Sequence, residues 1–136
     1  MATQDRVEEV FRAWDSGDAD TIRRFYAEDY LDHDPMPGTT GGVEGVIQQI
    51  QMLTGAFSGG NTEINDVIES DDKVCMRWTF TGTHTGAFMG IPGSGSKVEI
   101  QGIEIHRMVD GKIVEGWTTV DLLALMMQIG AIPAPE

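Results

Sequence analysis

A single cysteine, Cys75, stands in the whole chain, so no intramolecular disulfide can form. It sits in an apolar run, Val74-Cys75-Met76, and reads as a small buried filler. Basic residues are scarce: 9 Lys and Arg stand against 22 Asp and Glu, a formal net charge of -13. A surface of that sign repels phosphate backbones and anionic lipid, and Arg23-Arg24 is the only adjacent basic pair, so no nucleic-acid or membrane partner is expected. No apolar run approaches the ~20 residues that span a bilayer. The opening Met-Ala-Thr-Gln-Asp-Arg holds no apolar signal core, which predicts a cytoplasmic protein. The three histidines lack metal-ligand spacing, and Gly93-Ser94-Gly95 reads as a turn, not a phosphate-binding loop, so neither metal nor cofactor is expected.

What remains is an ordinary globular composition, 40% hydrophobic and 23% charged, which excludes disorder as the main state. At 136 residues the chain suits one domain, 1–136, with one core and one small-molecule pocket. Val7, Val10, Phe11 and Trp14 fall on one helical face over residues 3–16. Thr3 or Asp5 can cap that helix, and Gly17 ends it. Asp18 caps a second helix through about Tyr26. Residues 30–34 read as a short strand stopped by Pro35 and Pro37, and Val46, Ile50, Leu53 and Phe57 mark a third helix. Strands are predicted at 62–69, 73–83, 97–109 and 112–120, with a glycine-punctuated loop at 84–96 and an apolar closing helix at 122–130. Helices followed by an antiparallel meander give an α+β domain, with helices covering one face of a curved sheet.

Asp110-Gly111 is a strong two-residue hairpin signal. Regular pairing from that turn sets Glu104 opposite Trp117 and His106 opposite Glu115. Period-two alternation then puts Glu104, Trp117 and Asp121 on one face. The other face carries Gln101, Ile103, Ile105, Val114, Thr118 and Val120, and the pattern alone leaves open which face meets the helices.

Several ordered motifs then coincide. Gly82-Thr83-His84-Thr85-Gly86, Phe88-Met89-Gly90-Ile91-Pro92 and Asp110-Gly111-Lys112-Ile113-Val114-Glu115-Gly116-Trp117 precede Asp121 and Gln128-Ile129-Gly130. Ala13-Trp14-Asp15-Ser16-Gly17-Asp18 and Asp32-His33-Asp34-Pro35 lie upstream. The set resembles the SnoaL-like polyketide cyclase family over almost the whole chain. The resemblance implies a cone-shaped α+β barrel, the fold of nuclear transport factor two, ketosteroid isomerase and scytalone dehydratase. It also implies intramolecular aldol ring closure without metal or organic cofactor. Asp121 matches the family's acid/base aspartate and Trp14 its pocket aromatic. Glu104 stands where relatives carry a pocket histidine. On this resemblance Asp121, Glu104 and Trp117 face the pocket, and the outward Ile103, Ile105, Val114 and Val120 imply a homodimer or higher homo-oligomer.

The candidate catalytic set is therefore Asp121, His33 and Glu104, with Trp14, Trp117, Arg77, Trp78 and Met52 as candidate substrate contacts. Asp121 reads equally as an N-cap or as a base in an apolar pocket. Glu104, in an apolar strand, needs a partner, for which Arg77 and His33 are candidates, or takes part in the chemistry directly. Arg77 has two readings, ion-pair partner and enolate anchor. His84 reads as a tether for the long loop and His106 as solvent-exposed. The ligand expected is a small, apolar, aromatic or polyketide-like carbonyl compound, and the reaction expected is ring closure or a related isomerisation or hydrolysis. The rival reading is a non-catalytic binding protein on the same fold.

Overall fold

Gly17 ends the first helix by entering the left-handed region (φ 78), where a side chain would be strained. In the computed structural model, which describes residues 2–133 and 135, that helix is α1, Thr3–Ser16. Its N-cap is Ala2 without a side-chain bond; Thr3 and Asp5 lie inside the first turn and cap nothing. Asp18 does cap α2 (Ala19–Phe25), its carboxylate accepting from Thr21 N at 3.1 Å. β1 (Tyr26–Asp32) follows without a loop and includes residues expected to remain helical or irregular. Next come α3 (Val43–Ala56), β2 (Phe57–Ser70), β3 (Lys73–His84), β4 (Lys97–Val109), β5 (Lys112–Val120) and α4 (Leu122–Gln128).

The α+β architecture is as the sequence predicts, and the sheet order is β1-β5-β4-β3-β2. Four strands form the antiparallel meander, while β1 joins β5 in parallel, so the five-stranded sheet is mixed and stays open between its β1 and β2 edges. Gly59-Gly60, which looks like a break after α3, lies within β2 as an irregularity in its pairing with β3. Val10, Ala13, Ile22, Ile47 and Ile50 from the helices pack with Tyr26, Tyr30 and Ile113 of the sheet. Val7 and Phe11 of α1 meet Val74, Met76 and Trp78 of β3. This buried face is the inner one, and it fixes which strand residues can line a cavity.

The hairpin at Asp110-Gly111 forms as expected, both residues at positive φ and Val109 opposite Lys112. Beyond it the register slips. Met108 faces Ile113 but Arg107 faces Glu115, so Val114 is an extra residue, a β-bulge. A one-residue slip reverses every side chain beyond it. Glu104 therefore faces Thr118, and Trp117 faces Ile105 on the outer side. The predicted grouping of Glu104 with Trp117, and of Thr118 and Val120 with the opposite face, is overturned.

Candidate active site

Between the helices and the inner sheet face lies a cavity of about 330 Å³. Phe11, Trp14, Phe57, Trp78, Phe80 and Phe88 give it aromatic walls, and Glu104 lies among its lining residues. Such a space, mostly apolar with few polar groups, suits a small planar ligand.

Glu104 reaches the cavity because β4 alternates and the bulge puts Thr118, not an indole, beside it. Its side chain is 13% exposed, and each oxygen has its own partner. Trp78 Nε1 donates to Oε1 at 2.9 Å, and His106 Nε2 lies 2.8 Å from Oε2. Neither expected partner is used. Arg77 points to the outer face and pairs with Asp66 at 2.6 Å, because alternation along β3 gives the inner face to Met76 and Trp78. His106, expected in solvent, is 6% exposed: alternation along β4 gives it the inner face with Glu104, and the β5 bulge sets Gly116 rather than Glu115 opposite it.

Two phenols complete the polar set. Tyr26 accepts from the Trp14 indole at 3.2 Å, and Tyr30 packs edge-on against Tyr26 with centroids 4.8 Å apart. Burial raises both hydroxyls well above the usual tyrosine range. The negative charge of Glu104 adds to the rise in each. Both remain O–H donors at any working pH. Four carboxylates lie on the cavity wall, Asp15, Asp32, Asp34 and Glu104, and no Lys, Arg or His is among the described lining residues. Asp15 is offset by Arg12 at 3.5 Å. Asp32 accepts from Gln49 Nε2, and Asp34 from Thr118 N.

The remaining candidates sit elsewhere. His33 stacks on Trp117 outside the cavity, 4.6 Å between centroids and 3° between planes, and its Nε2 lies 2.7 Å from Glu115 Oε2. Met52 is half-buried on α3 and lines no part of the cavity, whose α3 contacts are Val46, Gln49, Leu53 and Thr54. Asp121 is exposed and caps α4, accepting from Ala124 N at 3.0 Å, although its neighbours Val120 and Leu122 line the cavity. His84 is buried and tethers the long loop as expected: its Nδ1 accepts from Ser94 N at 3.2 Å. That loop delivers Phe88 and Met89 to the cavity wall. Cys75, expected to be buried, is only partly so, because it lies on the outer face opposite Ile105. The signal for the slip was Gly116, since a glycine inside a strand marks a bulge or a close approach. A Cβ there would fall 2.2 Å from the Tyr30 hydroxyl.

The model of the SnoaL-like polyketide cyclases matches residues 4–129. The chain belongs to the SnoaL-like polyketide cyclase family. It is 29% identical over 144 aligned positions to the aklanonic acid methyl ester cyclase DnrD of Streptomyces peucetius, covering all of this chain and 97% of that one. It superposes on TsrD of Streptomyces laurentii with a TM-score of 0.86 at 29% identity, covering 95% of each chain. For IdmH of Streptomyces antibioticus the TM-score is 0.81 at 31% identity, covering 93% of this chain and 97% of that one.

Proposed function

We propose that this SnoaL-like protein is a cofactor-independent cyclase for a neutral polyketide ester, with Glu104 as the group that takes a proton from carbon. The placement of Glu104 carries the reading: a carboxylate at the wall of a mostly apolar cavity, held by two nitrogen groups and flanked by two un-ionised phenols. A C–H bond α to a carbonyl breaks, its proton passes to a Glu104 oxygen, and the electron pair enters the enolate. The enolate carbon then attacks a second carbonyl of the same molecule. One C–C bond forms, the carbonyl electrons move to oxygen, and Glu104 returns the proton to give an alcohol. Tyr26 and Tyr30 are the donors available for the oxyanion. A positioned base contributes about 10²–10⁴-fold and an oxyanion donor about 10²–10³-fold.

The carboxylate-lined wall favours a neutral substrate. A free acid group ~6 Å from one of these charges would meet roughly 3 kcal/mol of repulsion at an effective dielectric of ~20. The curated relative acts, by its name, on the methyl ester of an acid. Incubation with aklanonic acid methyl ester, followed by chromatography and mass spectrometry for an isomeric ring-closed product, tests the reading. No product from this ester or other cyclisable polyketide esters would reject it.

The exposed position of Asp121 favours a second reading, in which the cavity binds such a compound without turning it over. Saturable quenching of tryptophan fluorescence with no product would establish it. We also propose a homodimer through the outer sheet face, where Ile68, Cys75, Ile105 and Trp117 lie in register across four strands and Ile103 is 49% exposed. Light scattering should give twice 14.9 kDa; a monomer mass would reject it.

A further inference from the structure

Glu104 and His106 both project from the inner face of β4, two residues apart. Their roles differ by depth. The Glu104 carboxylate lines the cavity, whereas His106 is not among the lining residues and sits behind two that are, Glu104 and Tyr26. The ring is held on several sides. Gly116, opposite it, offers no side chain, and the space over that glycine is filled by the Tyr30 hydroxyl. Tyr26 packs edge-on, with centroids 6.0 Å apart and planes at 69°. His106 is 7% exposed in its side chain and so has little freedom to leave Glu104.

We infer that His106 is a positioning residue, which fixes the plane of the Glu104 carboxylate so that its free lone pairs face the bound ligand. An ionised carboxylate only accepts, so His106 Nε2–H is the donor to Oε2 while Trp78 Nε1–H serves Oε1. Two donors on two oxygens set the plane of the group; one alone leaves it free to swing about the remaining bond. A pair serving stability alone would have no reason to turn its carboxylate towards the cavity and its imidazole away. The inference rests on Glu104 being the proton acceptor, and its test separates the two claims.

The variants are His106→Leu, which fills the space without a donor, and His106→Gln, which keeps an N–H near the same place. Folding is checked by circular dichroism. With aklanonic acid methyl ester, His106→Leu should lower kcat by about 10²-fold, the effect of a small misplacement of a reacting group, with KM changed less than about threefold. His106→Gln should recover kcat to within about tenfold of the native protein. The proton resonance of the Trp78 indole N–H should move in His106→Leu and stay in place in His106→Gln. Unchanged kcat in folded His106→Leu, or no recovery in folded His106→Gln, would overturn the inference. If the native protein closes no ring, the role of Glu104 falls first. The indole resonance then decides alone, and an unmoved signal in His106→Leu rejects positioning. Should His106→Leu not fold, His106→Asn replaces it, since its amide is too short to reach Glu104, with the same outcomes expected.

Discussion

Glu104 and Thr118 stand directly opposite one another on the inner face of the β4–β5 hairpin, and both line the cavity. That pairing exists because Val114 is extruded as a bulge. It leaves a small hydroxylated side chain beside the carboxylate, so the space in front of Glu104 stays open to a ligand.

Glu104→Gln keeps the shape of the side chain and an acceptor for the Trp78 indole but removes the proton acceptor. Ring closure should fall by about 10²–10⁴-fold in kcat, with binding of an unreactive aromatic ketone nearly unchanged. A loss of less than tenfold would remove Glu104 from the chemistry.

Asp121 acts on α4 through its cap. Asp121→Ala should cost about 1 kcal/mol of stability in a denaturant titration, whereas Asp121→Asn should cost little. Both should cyclise substrate at near-native kcat, because the carboxylate is exposed and outside the lining. A hundredfold loss of kcat in folded Asp121→Asn would instead make Asp121 the base.

Gly102 leaves room for an indole. A Cβ there would lie 2.2 Å from Trp78 Cζ2, and Trp78 is 9% exposed with little space to retreat. Gly102→Ala should destabilise the fold by about 1–3 kcal/mol, the usual cost of overpacking. It should also shift the tryptophan emission as Trp78 moves away from Glu104. Native stability and an unchanged spectrum would contradict this packing.

On the outer face, Glu115 is held below the usual glutamate value of 4.5, first by its bond to His33 and then by its bond to Arg107. The folded chain keeps this carboxyl ionised where the unfolded chain has already taken up a proton. Its contribution is present at neutral pH, above the unfolded value, and is lost as pH falls through the depressed folded value. The Tm gap between native protein and Glu115→Gln should therefore hold steady around neutrality and close on acidification below about 4.5. A gap that widened with acid would contradict the assignment.

By itself the sequence determined what short-range chemistry controls. Gly17 ends α1 by its left-handed φ, Asp18 caps α2, and Asp110-Gly111 turns β4 into β5. The ordered motifs were also enough for the family, and with it the α+β fold and the candidacy of Glu104 and Trp14 for the cavity. Tertiary structure decided the rest. The parallel seat of β1 beside β5 joins residues more than eighty positions apart and has no local marker. Val114 looks like any strand residue, yet extruding it sends Trp117 outward, brings Thr118 in beside Glu104 and sets Gly116 rather than Glu115 opposite His106. Side-chain direction in a strand depends on the count of paired residues from the turn. One unpaired residue reverses it, and only packing against the helices and Tyr30 determines where that residue falls.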